Sequence, residues 1–190
     1  MWNFIWFILA VLSLAILGAV VVGIYINLAK LRSEVEKAWL HIDAELEMRI
    51  SLVDNLVETL EGYVEHGNSA MKEVIKVQSW LAYAETVEET GEADDKLTDA
   101  LEDLFVLLED YPDLKARKRF KKVTEQLEET EYLISEYRYL YNEMAYVYNS
   151  KCQTFPSSTV ANYFGFEDAE YFKPDGEAGV VGDPDFDSGK

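Results

Sequence analysis

The stretch that decides the architecture is WNFIWFILAVLSLAILGAVVVGIYINLA, residues 2–29, in which no side chain is charged. Its 28 residues exceed the roughly 20 that an α-helix needs to cross a hydrocarbon core of about 30 Å. Trp2 and Trp6 lie near one end and Tyr25 near the other, where amphipathic rings favour the bilayer interface. A cleaved signal peptide would need a basic first segment and a shorter apolar core. The pattern therefore predicts a retained transmembrane helix over residues 1–29, with lipid contact through residues 2–29.

Basic residues flank this apolar stretch on one side only. Lys30, Arg32 and Lys37 follow it, and no Lys or Arg precedes it. Positive charge near a span favours the cytoplasmic side. The sequence thus predicts a single-pass membrane protein whose large C-terminal domain is cytoplasmic.

The rest of the chain is strongly acidic. The 17 Lys and Arg residues against 36 Asp and Glu residues give a net charge of −19, which argues against a general affinity for nucleic acid. The single cysteine, Cys152, excludes an intrachain disulfide. The chain has no Gly-rich phosphate loop, G-x-S-x-G or H-E-x-x-H motif. We therefore expect no catalytic activity, no cofactor and no metal.

After residue 30, apolar residues recur every three or four positions, which is typical of amphipathic helices. Asn68 or Ser69 can cap a helix start, Thr90-Gly91 is expected to end a helix, and Pro112 suits a first turn. The helices predicted from these signals span residues 30–65, 69–87, 93–110 and 113–152. Short connections make successive helices antiparallel. The predicted fold is all-α: the transmembrane helix continues into an antiparallel four-helix bundle, long-short-short-long, over 30–153, with a coiled-coil-like long pair.

The two short helices can cover only part of the long pair, whose remainder is rich in Tyr and Trp. We therefore expect the aromatic segment 154–173 to pack on the bundle or on a neighbouring subunit. Residues 174–190 are rich in Gly, Pro and Asp without helical periodicity, and they are predicted to be a disordered acidic tail.

Several short runs, taken together, resemble the LemA family over about residues 28–173. They are AWLHID (38–43), NLVETLEGY (55–63), EDYPDLKA (109–116), EETEYLISEYRYLYN (128–142), YN (148–149), FPSS (155–158) and GF (165–166). The resemblance implies a bacterial or archaeal single-span membrane protein with a helical-bundle domain. It carries no enzymatic activity and no catalytic residues over to this chain.

Arg49 occupies a position where the seam of the first bundle helix calls for an apolar residue. In an antiparallel pair the numbers of facing residues have a nearly constant sum, about 182 here. Arg49 is therefore predicted to meet Glu131, with Glu128 as the fallback, and Glu45 to meet Arg138. These interhelical ion pairs would fix the register of the helices. The alternative is that Arg49 extends to solvent with only its stem packed.

Six basic residues fall within eight positions where the fourth helix begins. They are Lys115, Arg117, Lys118, Arg119, Lys121 and Lys122. They are either a solvated face or a docking patch for an acidic partner or another copy. A candidate complement lies in the acidic run Glu85, Glu88, Glu89, Glu92, Asp94 and Asp95.

These features favour a membrane-anchored interaction or scaffold protein that assembles with itself, as a homo-oligomer, or with a protein partner. The alternative is a helical bundle that binds a small ligand or lipid at the membrane surface.

Overall fold

The computed structural model describes residues 2–60, 62–64 and 68–172, and its regular elements are all helical, as predicted from the sequence. They are α1 (Trp2–Leu60), α2 (Ser69–Ala82), α3 (Val87–Leu107), a 3-10 turn (Leu108–Asp110), α4 (Pro112–Lys115), α5 (Lys118–Gln153) and α6 (Ser157–Phe164). The chain forms two compact units. The first unit comprises Met1–Asp43 with Glu136–Glu170, and the second comprises Ala44–Ser135 with Tyr171–Lys190. The predicted acidic tail, 174–190, lies outside the described residues.

The 59-residue helix α1 continues without a break past the expected end of the apolar stretch. Its most apolar 18-residue window has a mean hydropathy of 2.9, and none of that window is buried. A core helix of a soluble protein with this composition would be covered. The N-terminal part of α1 is therefore a candidate membrane span by length, composition and exposure. At its other end α1 stops at Leu60, short of the predicted 65, just before Gly62 with a φ of +89°.

The connection into α2 follows the predicted capping chemistry. The side-chain oxygen of Asn68 accepts hydrogen bonds from the backbone N–H groups of Ala70 and Met71, so Asn68 is the N-cap. Gln78 on α2 then donates to the carbonyl oxygen of Ile50 and to Asp54 on α1, at 2.9 and 2.8 Å. These bonds fix α2 against the C-terminal part of α1.

The start of α3 differs from the prediction. Thr86 caps it by accepting from the N–H of Glu89 at 3.1 Å, so the helix begins at Val87 rather than 93. The expectation that Thr90-Gly91 ends a helix is wrong, because both residues are buried inside α3. A Cβ on Gly91 would lie 3.2 Å from the Phe172 ring. This glycine allows close packing, which outweighs its low helix propensity.

The predicted fourth helix, 113–152, is interrupted near its start. Pro112 opens the short helix α4, as its fixed φ favours. The chain then turns through Ala116 and Arg117 before α5 begins at Lys118. The 36-residue helix α5 runs on to Gln153.

Candidate functional site

A buried charge cluster lies in the second unit, around Arg49 of α1. Its guanidinium donates through Nη1 to Asp94 Oδ1 and through Nη2 to Thr98 Oγ1, each at 2.8 Å. Nη2 also lies 3.7 Å from Glu131 Oε2 on α5. Arg49 is 1% exposed and Asp94 is 3% exposed. One arginine thus connects three helices.

Burial makes Asp94 the dominant partner of Arg49. A buried charge is costly unless it is paired and hydrogen-bonded, and a hydrogen bond between two ionised groups is among the strongest. The side chain of Glu131 is half exposed and more distant, so solvent screens its attraction. The buried Nε of Arg49 has no hydrogen-bond partner within the described residues, which makes the Asp94 and Thr98 contacts more important.

The sequence pattern predicted a contact between Arg49 and Glu131 but did not predict the contact between Arg49 and Asp94. The inclusion of Asp94 in the candidate acidic complement of the basic patch is wrong, because its side chain is buried against Arg49. A signal existed, since Asp94 lies at helical spacing from the buried residues Leu97 and Leu101. Recognising it required α3 to begin before residue 93.

The predicted second pair consists of Glu45 and Arg138. Glu45 is half-buried and Arg138 is buried. Their pairing, and the role of these four residues in setting the helix register, stay predictions.

A C-terminal strap, residues 165–170, follows α6 in the first unit and is held by side chains of α5. Gly165, with a φ of +72°, ends α6 in the left-handed conformation that glycine favours. Asn149 then makes a reciprocal pair with Ala169, donating to its carbonyl oxygen at 2.9 Å and accepting from its N–H at 2.8 Å. These bonds satisfy backbone groups that have no helical partner.

Two tyrosines extend this attachment of the strap. Tyr148 donates to the carbonyl oxygen of Glu167 at 2.9 Å, and Tyr141 donates to that of Glu170 at 3.0 Å. Burial, with a smaller contribution from Glu170, raises the pKa of Tyr141 to about 12. Burial, followed by a hydrogen bond with Cys152, also raises the pKa of Tyr148. Both hydroxyls are therefore protonated donors at neutral pH.

An open pocket of about 480 Å³ lies where α5, α6 and the strap meet. Polar and apolar surface contribute about equally to its lining, which is formed by Cys152, Gln153, Ser158, Asn162, Phe166, Glu167 and Asp168. Burial raises the pKa of the Cys152 thiol, which disfavours the thiolate form that a nucleophile needs. No group of three or more His, Cys, Asp or Glu side chains suited to a metal ion occurs among the residues that the structure describes.

The sequence model of the LemA family matches residues 38–184, which is most of the chain. The chain belongs to the LemA family. The matched range contains both the Arg49 cluster and the strap, and the apolar stretch 2–29 precedes it. A comparison with curated proteins found no match.

All six residues of the predicted basic patch are exposed in this LemA-family protein. Two of them bind within the second unit. Arg119 pairs with Glu58 of α1, and the guanidinium of Arg117 lies 5.0 Å from the ring centre of Tyr63. These contacts hold part of the patch against its own unit.

The lysines of the patch are less engaged. Lys115 lies 4.0 Å from Glu109, at the outer limit of an ion pair. Lys118, Lys121 and Lys122 make no ion pair within the described part of the chain. The use of the patch as a partner site stays a prediction.

The outer face of α5 in the first unit carries five exposed apolar side chains. They are Tyr139, Leu140, Met144, Tyr146 and Val147. They recur at spacings of three, four and seven residues, so they lie on one helix face, whereas Tyr141, Ala145 and Tyr148 are buried. Exposed apolar patches of this kind commonly mark interaction sites.

Proposed function

We propose that this LemA-family protein is a membrane-anchored interaction protein. In this proposal residues 2–29 cross the bilayer once, residues 30–153 form a long-short-short-long four-helix bundle, and the C-terminal domain is cytoplasmic. The anchor is supported by the fully exposed apolar window of α1. The observation that carries the interaction role is the apolar outer face of α5, defined by Tyr139, Leu140, Met144, Tyr146 and Val147.

A second copy of the chain is the partner that this face fits best. A shared membrane would hold two copies in parallel at the same height, so the face of one copy meets the same face of the other. Confinement to a membrane also raises the effective concentration of the face. Glu136 and Glu143 lie on it at helical spacing from the apolar residues. Added salt should therefore strengthen association by screening their repulsion.

Chemical crosslinking of the full chain in membranes, read by mass spectrometry, tests this proposal. We expect a homodimer crosslink in the unchanged protein and its loss in the double variant Leu140→Glu/Val147→Glu. Val106→Glu, at an exposed position in α3, is the matched control and should retain the crosslink. A crosslink to a different protein would show that this face binds a distinct partner rather than a second copy. Absence of any crosslink, or an equal crosslink in both variants, would refute the role of this face.

The pocket beside Cys152 favours a second candidate function, the binding of a small ligand or lipid. Its lining combines polar side chains such as Asn162 and Asp168 with apolar surface, which suits a ligand that has both a polar group and an apolar part. Native mass spectrometry of the protein extracted from its membrane would detect a bound molecule. Ser158→Trp, which fills the pocket, should abolish binding, and retention of the molecule in this variant would exclude the pocket as its site.

A further inference from the structure

The segment that leads into the strap is uncharged and aromatic. Residues 154–166 read TFPSSTVANYFGF, without an acidic or basic side chain. Within the short helix α6, Val160 and Ala161 are buried, whereas Tyr163 is 82% exposed. Phe155, just before α6, is 81% exposed. Burying a large apolar side chain lowers the free energy by roughly 1.5–3 kcal/mol, and these exposed rings do not gain that stabilisation.

Ring contacts place α6 beside the end of the apolar stretch in the same unit. The Tyr25 ring packs edge-on against Phe164 and Phe166, with centroid distances of 4.9 and 5.5 Å. Tyr25 lies five residues before Lys30, the first charged residue of the chain. An apolar helix of about 42 Å exceeds a hydrocarbon core of about 30 Å, so its last residues extend into the headgroup region. The level of Tyr25 is thus the level of the bilayer interface.

We propose that α6 and Phe155 lie in the interface of the bilayer that α1 spans, with Phe155, Tyr163 and Phe164 inserted among the lipid headgroups and upper acyl chains. This inference rests on the proposed single span. Aromatic rings favour the interface, and α6, with eight residues, is too short to cross a membrane. The absence of charge from 154–166 also removes a cost of lying against lipid. The exposed rings of α6 face lipid, because α6 packs beside Tyr25 and an anchored chain at this level is surrounded by lipid headgroups.

The consequence is a second membrane attachment at the C-terminal end of the first unit. The strap joins α6 and is bonded to α5 through Asn149 and Tyr148. Interfacial insertion of α6 would therefore hold α5 and the strap at a set height above the lipid. A single transmembrane helix leaves rotation about its axis free, whereas two attachments restrict it.

Lipid-dependent quenching of a fluorophore tests the proposal on the full chain. Single cysteines replace Tyr163, Leu14 and Leu40 in separate Cys152→Ala variants, each labelled with nitrobenzoxadiazole. The proteins are reconstituted in phosphatidylcholine vesicles with nitroxide-bearing phosphatidylcholine, the nitroxide being either shallow or deep. Leu14, in the apolar stretch, reports the span. Leu40, exposed and ten residues beyond Lys30 on α1, is the control outside the bilayer. Unchanged helical circular dichroism confirms that each variant is folded.

We expect the label at 163 to lose most of its fluorescence to the shallow nitroxide and less to the deep one. The label at 14 should respond more to the deep nitroxide, and the label at 40 to neither. If the label at 163 behaves like that at 40 while the label at 14 is quenched, the span stands and the interfacial helix is refuted. If the label at 163 is protected from aqueous iodide yet insensitive to both nitroxides, protein rather than lipid covers it, and the inference fails. If the label at 14 is unquenched, both the span and this inference are wrong.

Discussion

Replacing Asp94 with alanine should destabilise the protein far more than other acidic substitutions in α3. The change leaves the guanidinium of Arg49, 1% exposed, without its 2.8 Å charge partner. Breaking a buried pair by removing one member costs roughly 3–5 kcal/mol. For a chain of this size each kcal/mol lowers the melting temperature by about 2–4 °C. Asp94→Ala should therefore lower the melting temperature of the full chain by roughly 6–20 °C.

Two controls separate this effect from a general loss of charge. Asp99→Ala removes an exposed carboxylate of the same helix, 3.7 Å from Lys96, and should cost less than about 1 kcal/mol. Glu131→Ala should also cost less than about 1 kcal/mol, because Glu131 is half exposed and 3.7 Å from Arg49. The assay is thermal unfolding of the full chain in detergent micelles, followed by far-ultraviolet circular dichroism.

A double-mutant cycle isolates the pair itself. The variants are Arg49→Leu, Asp94→Leu and the combination, because two apolar residues can replace a buried ion pair with little loss of stability. We expect the stability that the double variant loses to be smaller than the sum of the losses of the two single variants. A coupling energy near zero for Arg49 and Asp94, or equal losses for Asp94→Ala and Asp99→Ala, would refute the reasoning.

Four further predictions concern the packing, the strap and the topology. Gly91→Leu should cost roughly 1–3 kcal/mol by overpacking, since even a Cβ would lie 3.2 Å from Phe172; an unchanged melting temperature would show that the ring can move away. Folding raises the pKa of Tyr141 from 10 to about 12, so its contribution to stability is present in full below pH 10 and declines as the pH rises towards 12. Tyrosinate absorbance and loss of helix should therefore rise together over this pH range, and Tyr141→Phe should remove this component. Asn149→Ala removes both hydrogen bonds to Ala169, and limited proteolysis should then cut the strap faster, with equal cutting rates contradicting the assigned attachment. Protease added to right-side-out cells should leave the C-terminal domain intact, and digestion without lysis would overturn the cytoplasmic orientation.

Local signals in the sequence were sufficient for the helical class and for several helix ends. Asn68 caps α2 and Pro112 opens α4, since both depend on atoms within a few residues of the same chain segment. The apolar stretch 2–29 likewise indicated a membrane span from length and composition alone. Glu131 Oε2 lies 3.7 Å from Arg49 Nη2, and Glu131 is the residue that the constant-sum argument placed opposite Arg49; the role of this pair in setting the helix register stays a prediction.

Only the tertiary structure decided which distant groups meet. Asp94 became the partner of Arg49 because α3, capped by Thr86, begins at Val87, and this phase of the helix turns that carboxylate inward. Gly91, a helix-ending signal by local propensity, lies inside α3, where its missing side chain leaves room for the Phe172 ring. The pairing of Asn149 with the strap joins residues 20 positions apart and leaves no periodic trace in the sequence. Helix starts arise from interactions between near neighbours, and a membrane span follows from the length of a continuous apolar stretch, whereas the partner of a buried charge or amide depends on how separate segments pack.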